Sequence, residues 1–378
     1  MERNPDVLII GGGLAGLTAG IHLSKKGLSV TLIEKSGYPK HKVCGEYISN
    51  EILPYLKWLG ADVAGLNPIS ISKFEFSSVS GHPVTAQLPL GGFGVSRYAL
   101  DNYLCEKARE SGCKVISAEV TGINFIDDKF YVETSGAIYT SKIVLGAFGK
   151  RSNLDKEMNR EFIQKKSPWL AVKAHYKGKF PDDTVGLHNF PGGYCGVSKV
   201  ENGAINICYL ASYTTFKKYK SIEEYQKGQV YKNPRLKEIF ENAKILFEKP
   251  LTISQVSFDK KLPVENNILM MGDTAGLIHP LCGNGMAMAI HSAKIASELV
   301  MLYAEGAISR EELEKRYAAA WKTQFSKRIR TGRLLGKALE NKMLTRPLMD
   351  MMALFPSLLP KIIKQTHGKP VNIASEWE

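Results

Sequence analysis

Cysteine is sparse in this 378-residue chain, and its spacing suits neither metal nor disulfide. Cys44, Cys105, Cys113, Cys195, Cys208 and Cys282 form no CxxC pair and no Cys/His ladder, which argues against a zinc site or a disulfide framework. The opening residues, MERNPDVLII, lack a basic stretch, an apolar core and a small-residue cleavage site, so no export signal is expected. Long apolar runs are missing too: the tract from Leu348 to Ile363 is broken by Asp350, Pro356 and Pro360 and is too short to span a bilayer. Internal repeats and low-complexity linkers are absent. These absences predict a cytoplasmic protein with free thiols, long enough to fold as more than one lobe.

Acidic residues are scarce at one end. From Lys315 to Lys369 thirteen Lys or Arg face two acids, Glu340 and Asp350, a difference of eleven out of a net charge of +13. Lys327, Arg328, Arg330, Arg333 and Lys337 recur along a predicted helix, and an apolar, Met-rich stretch (343–363) follows. Such a segment serves as a solvated cap over a core, or as a docking surface for an anionic partner: a membrane face, an acidic carrier protein or an anionic substrate. The chain is therefore expected in the cytoplasm, with peripheral membrane contact as an option. Nucleic acid is not expected, because no basic platform interleaved with aromatics is present.

Glycine, by contrast, is plentiful and placed with a pattern. DVLII is a short apolar run, followed by Gly11, Gly13 and Gly16 in GxGxxG spacing, a helix-like LAGLTAGIHLSKK and a second strand ending at Glu34. The first glycine makes a tight turn, the second admits a diphosphate, and the third lets helix and strand pack closely. Glu34 stands where an acid can hold ribose hydroxyls. This βαβ unit alone leaves NAD and FAD open. A second stretch, ILMMGDTAGLIHPLCGNGMAMAI, decides for FAD: a buried strand ends at Gly272-Asp273, and Pro280, Gly283 and Gly285 precede a long helix. Asp273 suits a ribityl chain, and the glycines let a ring lie on bare backbone near a helix N-terminus.

The rest of the order is also readable. Leu100 to Ser111 has helical spacing; KVISAEV, GINFI, KFYVET and KIVLGA read as strands. Ser167 to Leu210 alternates as a half-exposed sheet, Ser221 to Ala243 reads as a polar helix, and everything after Glu311 as helical. GGFG at 91 to 94 reads as a loop. The expected architecture is α/β: a discontinuous Rossmann-type FAD-binding domain (1–70, 95–165, 260–305), a β-sheet substrate domain inserted into it (71–94, 166–259) and a helical C-terminal segment (306–378).

GGGLAG…IEK, VSRYALDNYL and GDTAGLIHPLCGNGM together resemble the FAD-dependent superfamily of aromatic hydroxylases (p-hydroxybenzoate hydroxylase-like), flavin halogenases and geranylgeranyl reductases, whose FAD domain is glutathione reductase-like. The resemblance covers about residues 5 to 305. It implies extended FAD held by Gly11, Gly13, Leu14, Ala15, Gly16, Glu34, Lys35, Cys44, Arg97, Gly272, Asp273, Gly283, Gly285 and Met286. HNFPGGYCGVSKVENG is similar to a cavity-lining strand-turn of the geranylgeranyl reductase branch, and KVCGEYIS to its Cys-Gly segment beside the flavin ring. Cys44, Glu46, Tyr194 and His279 are the candidate catalytic residues, by expected proximity. A metal site is not expected.

In one respect the sequence departs from the hydroxylases: Phe148 in GAFGKRS stands where they carry Asp. An apolar ring cannot accept those hydrogen bonds, so NAD(P)H is expected to dock only transiently, with Lys150 and Arg151 available for its phosphates. Trp58, Trp169, Trp321 and Trp377 are too scattered for the halogenase motif. Analogy within the superfamily favours a monooxygenase that hydroxylates a hydrophobic aromatic or polyketide-like substrate through a C4a-hydroperoxyflavin. The alternatives are a geranylgeranyl-reductase-like enzyme saturating carbon–carbon double bonds and a non-catalytic electron carrier.

Overall fold

A computed structural model describes residues 4–81, 83–340, 351, 355 and 358–374. Its first layer is a six-stranded sheet in the order Val264–Glu265, Ile268–Met270, Ile143–Gly146, Val7–Ile10, Val30–Glu34, Lys114–Ser117. All neighbours are parallel except the outer pair, Val264–Glu265 with Ile268–Met270. Parallel strands are covered on both faces, which explains why Val7 to Ile10 is continuously apolar and buried. The helices Leu14–Lys25, Arg97–Glu110 and Gly285–Ala304 pack over this sheet.

A nine-stranded sheet forms the second layer: Ala243–Ile245, Trp169–Gly178, Ile205–Ser212, Gly193–Lys199, Thr184–Phe190, Ile69–Ser77, Pro83–Gly94 and Tyr47–Ser49 in order, with Leu251–Ser254 on Trp169–Gly178. Period-two alternation sorts its residues. Val172, Ala174 and Tyr209 enter a core with Tyr225, Leu236 and Phe240 of the helices Ile222–Gly228 and Pro234–Glu241. Ala171, Leu187 and Leu210 enter a different cluster, shared with Leu359 and Ile363 of the C-terminal helix Leu358–Thr366.

Two expectations change. Gly91–Gly94 is the end of a strand, not a loop: it pairs with both Ile69–Ser77 and Tyr47–Ser49. A Cβ at Gly94 would lie 1.8 Å from the Lys199 carbonyl oxygen, and one at Gly92 2.6 Å from that of Ile48, so only glycine admits these backbones. The single helix expected over Ser221–Ala243 is two, because Pro234 stops one turn and starts another. Asn233 caps the second, its side-chain oxygen accepting from Arg235 N (2.9 Å) and Leu236 N (3.3 Å). After it come Arg310–Glu340 and Leu358–Thr366. Most of the Met-rich stretch 343–363 lies outside the described residues, as does Trp377.

Candidate active site

Between the two sheets lies a cavity of about 730 Å³ that runs from the first glycine turn to the C-terminal helix. Gly11 adopts φ 105°, and a Cβ there would lie 2.3 Å from the Ala147 carbonyl oxygen; a Cβ at Gly16 would lie 2.0 Å from that of Gly11. These two glycines seal the turn against its neighbours, and Gly16 does not line the cavity. Gly13 differs: a Cβ would meet only an Arg97 nitrogen, at 3.8 Å. As the N-cap of Leu14–Lys25 it has no capping side chain, and no acid occupies the first turn. The helix therefore offers free N–H groups to an anion.

Glu34 is committed within the turn, accepting from Gly12 N (2.6 Å) and Ser36 N (2.9 Å) while still lining the cavity beside Lys35. Each carboxylate oxygen keeps a lone pair for a hydroxyl. Arg97 is held by a two-pronged bond to buried Asp101 (2.6 and 2.7 Å), which also takes Lys42 at 2.9 Å. Arg97 thus sits fixed at the cavity wall rather than in solvent.

The second glycine turn completes the cradle. Gly272 and Gly283 both have positive φ, 57° and 64°, and Asp273, Gly283, Gly285 and Met286 line the cavity. Gly285–Ala304 has no side-chain cap either. Buried Lys261 ties this turn to the 146–152 turn, donating to the carbonyls of Asp273 and Lys150, both at 2.8 Å. Burial pushes its ammonium down to about 8. Two bare helix starts, glycine backbone and a fixed arginine fit a dinucleotide with a flat ring, and FAD is the cofactor.

The KVCGEYIS segment forms one wall. Cys44 Sγ lies 3.5 Å from Met286 Sδ, and the Cys44 and Gly45 carbonyls accept from Asn206 and Ser198. Glu46, wholly buried with φ 54°, accepts from Lys173 Nζ (2.6 Å), His175 Nε2 (2.6 Å) and Arg97 N (2.7 Å). Burial alone would raise its pKa, but the His175 and Lys173 contacts hold it below the usual carboxylate range. Lys42, its neighbour in the segment, pairs with Asp101 instead. His41, Glu46 and His175 present donor atoms within 4.8 Å of one another. The Lys173 ammonium already occupies that carboxylate, so a metal dication there would meet a buried positive charge.

Tyr194 lines the cavity, whereas His279 stands behind it: Tyr194 Oη and His279 Nδ1 are 3.3 Å apart, and the imidazole stacks on Phe258. Burial pushes His279 down to about 4, so the ring is neutral at pH 7. Lys173, His175 and Lys261 were not anticipated from sequence. The one local signal was a Lys and a His two apart in the apolar run WLAVKAHY, which alternation turns toward the cavity side.

Opposite the polar cradle the cavity becomes apolar, with Phe74, Phe76, Leu187, Leu210, Leu359 and Ile363 among its lining. Fold and site together define an FAD-dependent oxidoreductase. The chain belongs to the FAD binding domain family, whose model matches residues 4–323. It is similar to the digeranylgeranylglycerophospholipid reductases of Methanosarcina acetivorans (29% identical, covering 84% of this chain and 80% of the relative) and Methanosarcina mazei (26%, 85% and 81%). Among solved structures it shares its fold with the flavin-dependent brominase Bmp2 (TM-score 0.79, 20% identical, 96% and 93% covered). It also shares it with a geranylgeranyl bacteriochlorophyll reductase-like protein from Thermoplasma acidophilum (TM-score 0.72, 20%, 99% and 94%). No described helix is long and apolar enough to cross a membrane.

Proposed function

We propose that this enzyme saturates carbon–carbon double bonds in a long, isoprenoid-like chain. The observation that carries the proposal is the continuity of one cavity, polar and glycine-lined at one end and walled by Phe74, Phe76, Leu187, Leu210, Leu359 and Ile363 at the other. A linear apolar chain fits such walls. The similarity to digeranylgeranylglycerophospholipid reductases supports this reading over hydroxylation, which rested on analogy across the superfamily.

Bound and reduced FAD supplies a hydride. The residues around it do the remainder. Gly13 and the free N–H groups of its helix would hold the diphosphate, and Arg97 would add a fixed positive charge beside Gly13. The KVCGEYIS wall, pinned through Glu46, and the Gly283–Gly285 turn would enclose the ring. Leu359 and Ile363 exclude water from the apolar end. When hydride reaches one alkene carbon, the other must gain a proton. Tyr194, which lines the cavity and whose hydroxyl meets the neutral His279 behind it, is the group we assign to give it. Glu46, held as an anion by three donors, positions the wall and does not act as the acid. Lys150 and Arg151, which line the polar end, would receive the phosphates of a transiently docked NAD(P)H.

Rapid mixing tests the proposal. The photoreduced protein, mixed without oxygen with a geranylgeranyl lipid, should return to the oxidised spectrum and yield a product heavier by two hydrogens. Tyr194→Phe should slow this step ~10²-fold or more while leaving FAD bound. A substrate-stabilised oxygen adduct seen in air, with no anaerobic turnover, would establish the hydroxylase instead; neither response would leave an electron carrier.

A further inference from the structure

The C-terminal helices carry two different faces. Arg310–Glu340 and Leu358–Thr366 pack on each other. Toward the interior, Leu335, Leu339, Leu359, Ile362 and Ile363 line the cavity and roof its apolar end. On the opposite side Lys327, Arg330, Leu334 and Lys337 are exposed at spacings of three or four, one face of a helix. Lys361 and Lys364, three apart on the roof helix, and Lys369 just after it are exposed as well.

Two observations give this outer face a partner. First, its charge is uncompensated: Glu340 and Asp350 are the only acids in the sequence between Trp321 and Ala374. Among the described residues no carboxylate pairs with the six cations Lys327, Arg330, Lys337, Lys361, Lys364 and Lys369. Second, large apolar side chains of the same C-terminal segment stand in solvent. Leu334 is 61% exposed and Phe355 59%, with Ile373 and Met351 also exposed. A basic surface for a folded acidic protein needs no such protruding side chains; a bilayer interface uses both, anionic headgroups for the lysines and the acyl boundary for the rings and aliphatics.

We infer that this face docks on an anionic lipid surface, so that the roof of the apolar chamber lies against the membrane. The docking stands on the charge and exposure just described. That a lipid chain passes beneath the roof helix into the chamber rests, in addition, on the proposed reduction of an isoprenoid.

Co-sedimentation of the FAD-loaded protein with vesicles tests the docking without reference to turnover. Phosphatidylcholine vesicles containing phosphatidylglycerol should bind at least ~10-fold more protein than phosphatidylcholine alone, and the excess should fall steeply with salt. Lys361→Glu/Lys364→Glu/Lys369→Glu should lose that excess with an unchanged flavin spectrum. Phe355→Ser should weaken the binding that survives high salt. Equal binding to neutral and anionic vesicles, no binding, or an unaffected triple variant would overturn the inference. So would equal or tighter capture by soluble polyglutamate, which would identify an acidic protein partner. Reduction of a short, water-dispersed isoprenoid by the triple variant separates the two readings: turnover there sustains the reductase whatever the vesicles show.

Discussion

Glu46 has to satisfy several demands with one side chain. Its backbone sits in the left-handed region at φ 54°, a conformation few non-glycine residues hold without help. Its carboxylate supplies that help by joining the cavity wall to the strand Trp169–Gly178 and to the first N–H of the helix Arg97–Glu110. Replacing it with glutamine leaves the Lys173 ammonium buried without a counter-charge, so Glu46→Gln should cost about 3–5 kcal/mol in urea unfolding. Adding Lys173→Met should recover part of this, and a double variant no more stable than Glu46→Gln would refute the pairing as the cause. The acid side follows from the depressed pKa: the stabilisation is complete above the ordinary carboxylate value of 4.5 and disappears as pH falls through the lower folded value. Below that value wild type and variant should converge.

At the scale of elements, what the sequence disclosed was what neighbours in the chain decide. The strand–turn–helix–strand around Gly11 to Glu34 declares itself because a continuously apolar strand, a glycine turn and a buried apolar helix are each written in adjacent residues. The glycines divide by their surroundings, however, and only the structure shows how. A side chain at Gly13 enters the cradle; one at Gly16 strikes the Gly11 carbonyl. Gly13→Val should therefore fold with near-native stability yet retain ~10-fold less FAD after gel filtration, whereas Gly16→Val should lose the fold itself. Equal losses of flavin and of secondary structure in both variants would contradict this division. The strand at Gly91–Gly94 escaped notice because its glycines answer to Ile48 and Lys199, remote in sequence. Lys173 was invisible for the same reason: its partner Glu46 is 127 residues away. His279 is a candidate from sequence by expected proximity alone, and the fold sets it behind Tyr194, outside the cavity.

Across the whole molecule, the sheets and the helices packed on them bury histidines that remain neutral. Burial, with nearby lysines or Arg328 and Arg235 adding to it, pushes His22, His188 and His291 down to about 3, and burial alone pushes His279 to about 4. Each titrates near 6.5 once unfolded, so between those values the unfolded chain binds more protons than the folded one. Stability must then fall as pH falls from 6.5, by about 2 kcal/mol per histidine at pH 5. Four such groups together approach the entire stability of a typical domain, so the protein should unfold cooperatively in mild acid, well above the range where carboxylates alone would unfold it. His291 gives the cleanest test. Among the described residues its Nδ1 is buried without a hydrogen-bond partner, and its ring packs edge-on against Phe325 of the helix Arg310–Glu340. His291→Leu removes the proton uptake and forfeits no bond at that nitrogen, so the acid midpoint followed by circular dichroism should move to lower pH while stability at pH 8 changes little. A midpoint that stays in place, or moves upward, would mean that these buried imidazoles do not set the acid limit of the fold.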